Sequence, residues 1–192
     1  HHQAASKDFA LEIFYSMEKV GKKCWLDVKM RERDESAMKR GIEKCKIFLL
    51  IISPTYFTRK FCVKELEWAV EFGKPILVVI DVQHKNEIGN ILNSCPRDKV
   101  YLREIGGINF NEVFRGNPDL WEASINSILK AKPKILQRDG RLISVDVKDN
   151  TFDTKFWGQI VSLTLIVFGF VCDRLVNDMN LHCGDPLQKA QQ

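Results

Sequence analysis

Two uninterrupted apolar runs, KIFLLIIS (Lys46 to Ser53) and PILVVIDV (Pro75 to Val82), limit what this chain can fold into more than any other feature. A strand with one wet face alternates apolar and polar residues, whereas a strand apolar at nearly every position must be covered on both faces. Cover on both faces means helices above and below the sheet, the arrangement of parallel strands joined by helical crossovers. The sequence between the two runs agrees. SPTYFTRK reads as a turn, FCVKELEWAV (Phe61 to Val70) has helical spacing, and Gly73 closes it.

The same alternation continues along the chain. Phe9, Ile13, Phe14 and Met17 mark a helix from about Asp8 to Val20, and KCWLDV (Lys23 to Val28) is a short strand in which Trp25 is a core residue. Asp34 is an N-cap for a helix through Cys45, with Glu35 near its positive end. After the second apolar run come a short helix near Asn86 to Leu92, a weak strand GINF (Gly107 to Phe110) and a helix from Pro118 to Leu129. The expected class is α/β, a parallel sheet between two helical layers. Such a sheet normally starts with a strand, but this chain opens with a helix. The expectation is therefore that a central strand lies upstream of His1 in a longer parent, and that its loss leaves a gap and poor solubility.

The remainder divides by composition. Residues 1–132 read as the domain, 133–155 as a polar linker with a short strand at RLISVDV, 156–176 as an apolar helix and 177–192 as a tail. FWGQIVSLTLIVFGFVC (Phe156 to Cys172) carries no charge and is at the short end for a membrane span. Arg141, Lys148 and Lys155 precede it and Arg174 follows, which would keep the domain in the cytosol. The other reading is a helix buried against the sheet, over the gap. Both stay open.

Several chemistries are excluded. The net charge of +4 comes from interleaved signs with no dense basic run, which argues against nucleic acid. The 6 cysteines form no C-x-x-C pair and no metal-ligand spacing, so no metal is expected; they read as reduced thiols of a cytosolic protein. No glycine-rich phosphate loop and no G-x-S-x-G elbow occurs. A phospho-accepting receiver would end its third strand in aspartate, where this chain has IISPTY.

One side chain stands out at the carboxyl edge of the sheet, where open parallel sheets bind ligands. Wound at about 100° per residue, Phe61 to Phe72 places Cys62, Leu66, Ala69 and Val70 on one apolar stripe and Lys64, Glu67 and Glu71 opposite. Glu65 lies on the shoulder of the stripe, partly buried beside Trp68, Ala69 and Phe72. It is placed either to bind a ribose diol and assist glycosidic cleavage, or as a boundary glutamate favoured by the helix dipole. Geometry permits both. Ser53 and Tyr56, ending the third strand, sit at the lip of the same region or serve the turn.

CWLDVKM, ESAMKRGIEKCKIFLLIISPTYF, FCVKELEWAVEFGKPILVVI and INFNEV…DLWEASINSIL together resemble a Toll/interleukin-1 receptor (TIR) domain, most of all versions from unicellular eukaryotes and algae. The likeness spans about His1 to Leu129 and lacks the first strand. It implies a flavodoxin-like, doubly wound α/β/α fold. FCVKEL is similar to the cysteine-x-x-glutamate-leucine pattern opening the family's third helix, whose glutamate is catalytic in NAD-cleaving members; carried over, it is Glu65. The resemblance implies NAD+ as substrate with no cofactor, a pocket to which Ser53, Tyr56, Cys62 and Trp68 would contribute, and a wall involving His1, Gln3 and Lys7. It also implies homotypic assembly with other TIR domains through the loop Asp27 to Glu35, with Asp27, Lys29, Arg31, Arg33 and Asp34 in contact. That loop lacks the glycine or proline common at its tip in receptor members. The expected function is a cytoplasmic signalling protein that cleaves NAD+ at the nicotinamide–ribose bond; the alternative is a non-catalytic TIR–TIR scaffold.

Overall fold

The computed structural model describes residues 2–26, 34–145 and 161–163. Helix α1 (His2–Lys19) turns Phe9, Ala10, Ile13, Phe14 and Met17 inward at spacings of one to four. Strand β1 (Cys24–Leu26) follows. Helix α2 (Glu35–Lys44) starts where expected: the Asp34 carboxylate accepts the Ala37 N–H at 2.6 Å, one of the four donors a helix start leaves without partners. Strand β2 (Ile47–Ile52) is buried at every position. It leads through a 3-10 turn (Tyr56–Thr58) to α3 (Lys60–Glu71), which stops at Gly73, φ 59°. Strand β3 (Ile76–Asp81), equally buried, is followed by α4 (Ile88–Asn93), β4 (Phe110–Val113) and α5 (Pro118–Lys130). Asn117 caps α5 through the Asp119 and Leu120 N–H groups, with proline in its first turn.

The strands form one sheet. Its centre is parallel: β2 pairs with β3 from Phe48↔Ile76 to Ile52↔Ile80, and β3 with β4 from Val78↔Phe110 to Asp81↔Val113. Because successive side chains alternate, Ile47, Leu49 and Ile51 face a core built with α1 and α5, while Phe48, Leu50 and Ile52 face one built with α2 and α3. The fold class is thus α/β, flavodoxin-like, as the apolar runs require.

Three expectations need correction. The weak strand begins at Phe110 rather than Gly107, because residues Arg97–Gly107 wind as 3-10 turns and Lys134 Nζ donates to the Gly107 carbonyl at 2.8 Å. The stretch 133–155, read as a linker, contains a hairpin: β5 (Lys134–Leu136) and β6 (Leu142–Ser144) turn at Gly140, φ 85°, and join β3 antiparallel through Ile76↔Lys134. What holds it is long-range. Leu136 is fully buried, and Leu142 Cδ1 lies 2.6 Å from where a Cβ on Gly107 would stand.

The third correction concerns 156–176, read as a helix. Residues Val161–Leu163 are a strand, β7, inserted parallel between β1 and β2. The place between β1 and β2 is thus taken by residues from the C-terminal part of the chain. The reason is hydrogen bonding: a helix laid over the gap leaves the facing N–H and C=O groups of β1 and β2 unserved, and a strand pairs with both. Residues 161–163 in this position are neither a membrane span nor a covering helix. Among the described residues no helix is long and apolar enough to cross a membrane; the rest of 156–176 and the tail lie outside them.

Candidate functional site

Glu65 sits in the middle turns of α3, and its residue exposure is 0%. The shoulder position expected from helical winding is thus a fully interior one. The cause is the width of the surface that α3 meets. The helix is tied on either side by ion pairs: Lys64 Nζ binds the Glu35 carboxylate of α2 at 2.7 and 2.8 Å, and Glu67 Oε2 takes Lys99 Nζ at 2.6 Å from the 3-10 segment on the other side. Lys39 of α2 reaches Glu71 at 3.5 Å. With neighbours on three sides, α3 buries Cys62, Val63, Glu65, Leu66, Trp68, Ala69 and Val70, far more than a single stripe.

The other expected pocket residues separate. Tyr56 and Cys62 are buried in the α2/α3-side core, and the Tyr56 hydroxyl donates to the Cys62 carbonyl at 2.9 Å, tying the turn after β2 to the head of α3. Trp68 belongs to the same core. Ser53 does line a cavity. Asp34 is the α2 cap, its carboxyl held below the usual range by the Ala37 N–H. Asp27, Lys29, Arg31 and Arg33 lie outside the described residues, as does the His1 side; of Gln3, only its place in α1 is described.

The Ser53 cavity, about 300 Å³, opens at the carboxyl ends of β2 and β3. Phe9 and Ile51 form its apolar wall, and Ser53, Asp81, His84 and Arg115 its polar one. Arg115 is a staple: Nε and Nη2 donate to Glu12 of α1 at 2.9 and 2.7 Å, Nη1 lies 3.8 Å from Asp81, and the guanidinium stands 5.5 Å from the Phe9 ring centre. The Glu12 hydrogen bonds push the Arg115 pKa up, so the staple stays charged. Asp81 accepts the Gln83 N–H at 3.0 Å, and His84 Nδ1 is 2.7 Å from Glu87. A wider groove of about 740 Å³ adjoins it between α1 and α5, along Tyr15 and Trp121. Glu65 lines neither of these two cavities. Sequence reasoning missed Asp81 and Arg115. The aspartate ending an otherwise apolar strand was a usable signal, but nothing local marks Arg115, whose hydrogen-bond partner Glu12 is 103 residues away.

Residues 1–114 match the protein-family model described as TIR domain. No curated protein and no solved structure matches this chain.

Proposed function

Since the chain belongs to the TIR domain family, a family of signalling domains that associate with one another, we propose that it signals by cleaving NAD+ at the nicotinamide–ribose bond, with Glu65 as the catalytic carboxylate. One observation carries this reading: a carboxylate on α3 withdrawn from water, at 0% exposure, in a layer otherwise built of Cys62, Leu66, Trp68 and Val70. Burying an acid costs several kcal/mol in general, of order ~2–7 even for polar groups, so an interior one is a candidate for chemistry.

The chemistry suits a single acid. In NAD+ the nicotinamide nitrogen carries a positive charge; as the bond breaks, the bonding pair moves to that nitrogen and neutral nicotinamide leaves without needing a proton. The positive charge passes to the ribose as an oxocarbenium centre. An anionic carboxylate at low dielectric opposes that charge far more strongly than one in water. Water then adds to the anomeric carbon and releases one proton, giving ADP-ribose. Among the described residues Cys24, Cys45, Cys62 and Cys95 are unoxidised thiols, the state that a cytoplasmic setting maintains.

A second reading, a non-catalytic module that only assembles with other TIR domains, is favoured by the absence of Glu65 from both cavity walls. Nicotinamide release from NAD+ separates the two. Glu65→Gln keeps the shape and removes the charge; its rate should fall by about 10²–10³ while its circular dichroism stays that of wild type. An unchanged rate removes Glu65 from the mechanism. No release by wild type, even at concentrations that force assembly, leaves the module reading.

A further inference from the structure

The cavity at the carboxyl ends of β2 and β3 holds a carboxylate whose partners leave room for one more atom. Asp81 ends β3 with its side chain only 10% exposed. Its Oδ1 accepts the Gln83 N–H at 3.0 Å, but its Oδ2 stands 3.8 Å from Arg115 Nη1, beyond hydrogen-bond reach. The guanidinium is committed elsewhere: Nε and Nη2 donate to Glu12 at 2.9 and 2.7 Å. One hydroxyl oxygen set about 2.8 Å from each atom bridges the gap, donating to Asp81 and accepting from Arg115.

The rest of the wall narrows the kind of molecule that carries this hydroxyl. At about 300 Å³ the cavity is at the small end of ligand pockets, which run from about 300 to 1,000 Å³. Ser53, Thr55 and Gln83 bring two hydroxyls and an amide, groups that both donate and accept. Phe9 and Ile51 supply an apolar face. An anion placed here meets Asp81 and Glu87, and a cation meets Arg115, so like charges oppose either one. Water could bridge the one gap but leaves the apolar face uncovered. A polyol answers both demands, since its hydroxyls donate and accept while its C–H side lies on hydrocarbon.

We propose that this cavity binds a neutral polyhydroxylated ligand, a sugar or sugar alcohol, anchored by one hydroxyl between Asp81 and Arg115. The site lies at the carboxyl edge of the sheet, where open α/β folds take ligands. It is independent of the proposed NAD+ chemistry, because Glu65 lines neither cavity, and either reading can fail without the other. The wider groove between α1 and α5 shares Gln83 and Arg115 with the cavity. Trp121 walls that groove, its Nε1 donating to Ser16 at 3.0 Å, so a substituent on the sugar has a path out along it.

Nuclear magnetic resonance titration of the full chain, read at the Gln83 amide, tests the site. Sorbitol, gluconate and N-methylglucamine carry nearly the same hydroxylated chain with a neutral, an anionic and a cationic end. Sorbitol or glucose should give a saturable shift, with affinity at least about tenfold above that of either ion. No such shift from both, or an ion that binds as tightly, overturns the proposal. Methyl glucoside distinguishes the sources: binding equal to or tighter than that of glucose identifies a glycosyl group of a larger molecule, and weaker binding a free sugar or sugar alcohol. Asp81→Asn keeps an acceptor for the Gln83 N–H but turns the atom facing Arg115 into a donor, and should weaken binding at least about tenfold. If that variant misfolds, Ser53→Leu, at a partly exposed position, fills the cavity and should abolish the shift. Undiminished binding in whichever variant folds overturns the site.

Discussion

Gly41 and Trp25 offer the sharpest test of how β1 and α2 fit together. A Cβ added at Gly41 would stand 2.7, 2.8 and 3.1 Å from Trp25 Cε2, Cζ2 and Cδ2. Carbon atoms rest at about 3.5–4.0 Å, so the indole must retreat by roughly 1 Å. It has little room: Trp25 is 8% exposed and sits on β1, which is hydrogen-bonded to β7. Overpacking of this kind costs about 1–3 kcal/mol, and the gain in helix propensity from glycine to alanine returns about 1 kcal/mol. Gly41→Ala should therefore be destabilising by about 1 kcal/mol net. Gly89→Ala is the internal control, since nothing lies within 4 Å of its added Cβ and α4 would gain up to about 1 kcal/mol. The two substitutions are chemically identical and should differ by about 2 kcal/mol, or about 4–8 °C in Tm for a chain of this size. Urea unfolding followed by circular dichroism measures it. The same method run in a Trp25→Phe background, which removes the overlapping benzo ring, should turn Gly41→Ala from destabilising to neutral or better. Gly41→Ala as stable as wild type, or an equal loss in both backgrounds, refutes the packing argument.

Two further outcomes follow from single contacts. Tyr56→Phe deletes the buried hydroxyl that donates to the Cys62 carbonyl and should cost about 1–2 kcal/mol in urea unfolding, with the fold retained. Asp34 and Asp139 have carboxyl pKa values lowered chiefly by the Ala37 and Arg141 N–H groups, so the folded chain favours their charged forms. Their contribution is complete above about pH 4, the ordinary aspartate range, and is lost as pH falls through their lowered folded values. Asp34→Asn, which still caps, should flatten that part of the acid-unfolding curve; an acid limb unchanged in the variant would show that Asp34 takes no part.

Much of the architecture was legible because its causes are local. The unbroken apolar runs 47–52 and 76–81 specify two strands covered on both faces, the spacing of Phe9, Ile13 and Met17 specifies an amphipathic α1, and Asp34 and Pro118 mark helix starts by the hydrogen bonds they satisfy or do without. The hairpin at 134–144 escaped because three-residue strands such as KIL and LIS carry no periodicity; burial of Leu136 against residues far along the chain makes them strands.

The candidate site divides along the same line. Helical winding could say that Glu65 lies near the inner face of α3, since that depends on the angle between neighbours in one helix. Its depth depends on the core that α3 joins, to which Ile42, Leu50, Tyr56, Leu102 and Ile105 come from other parts of the chain. Arg115 between Glu12 and Asp81, and β7 between β1 and β2, are likewise set by which distant backbones the packed sheet brings together. Sequence alone determined that a parallel, doubly covered sheet forms, because apolar residues at successive positions must leave water. Tertiary structure alone decided which strand stands between β1 and β2 and how deeply the acid is held, because hydrogen-bond pairing and burial are properties of neighbours that no local pattern names.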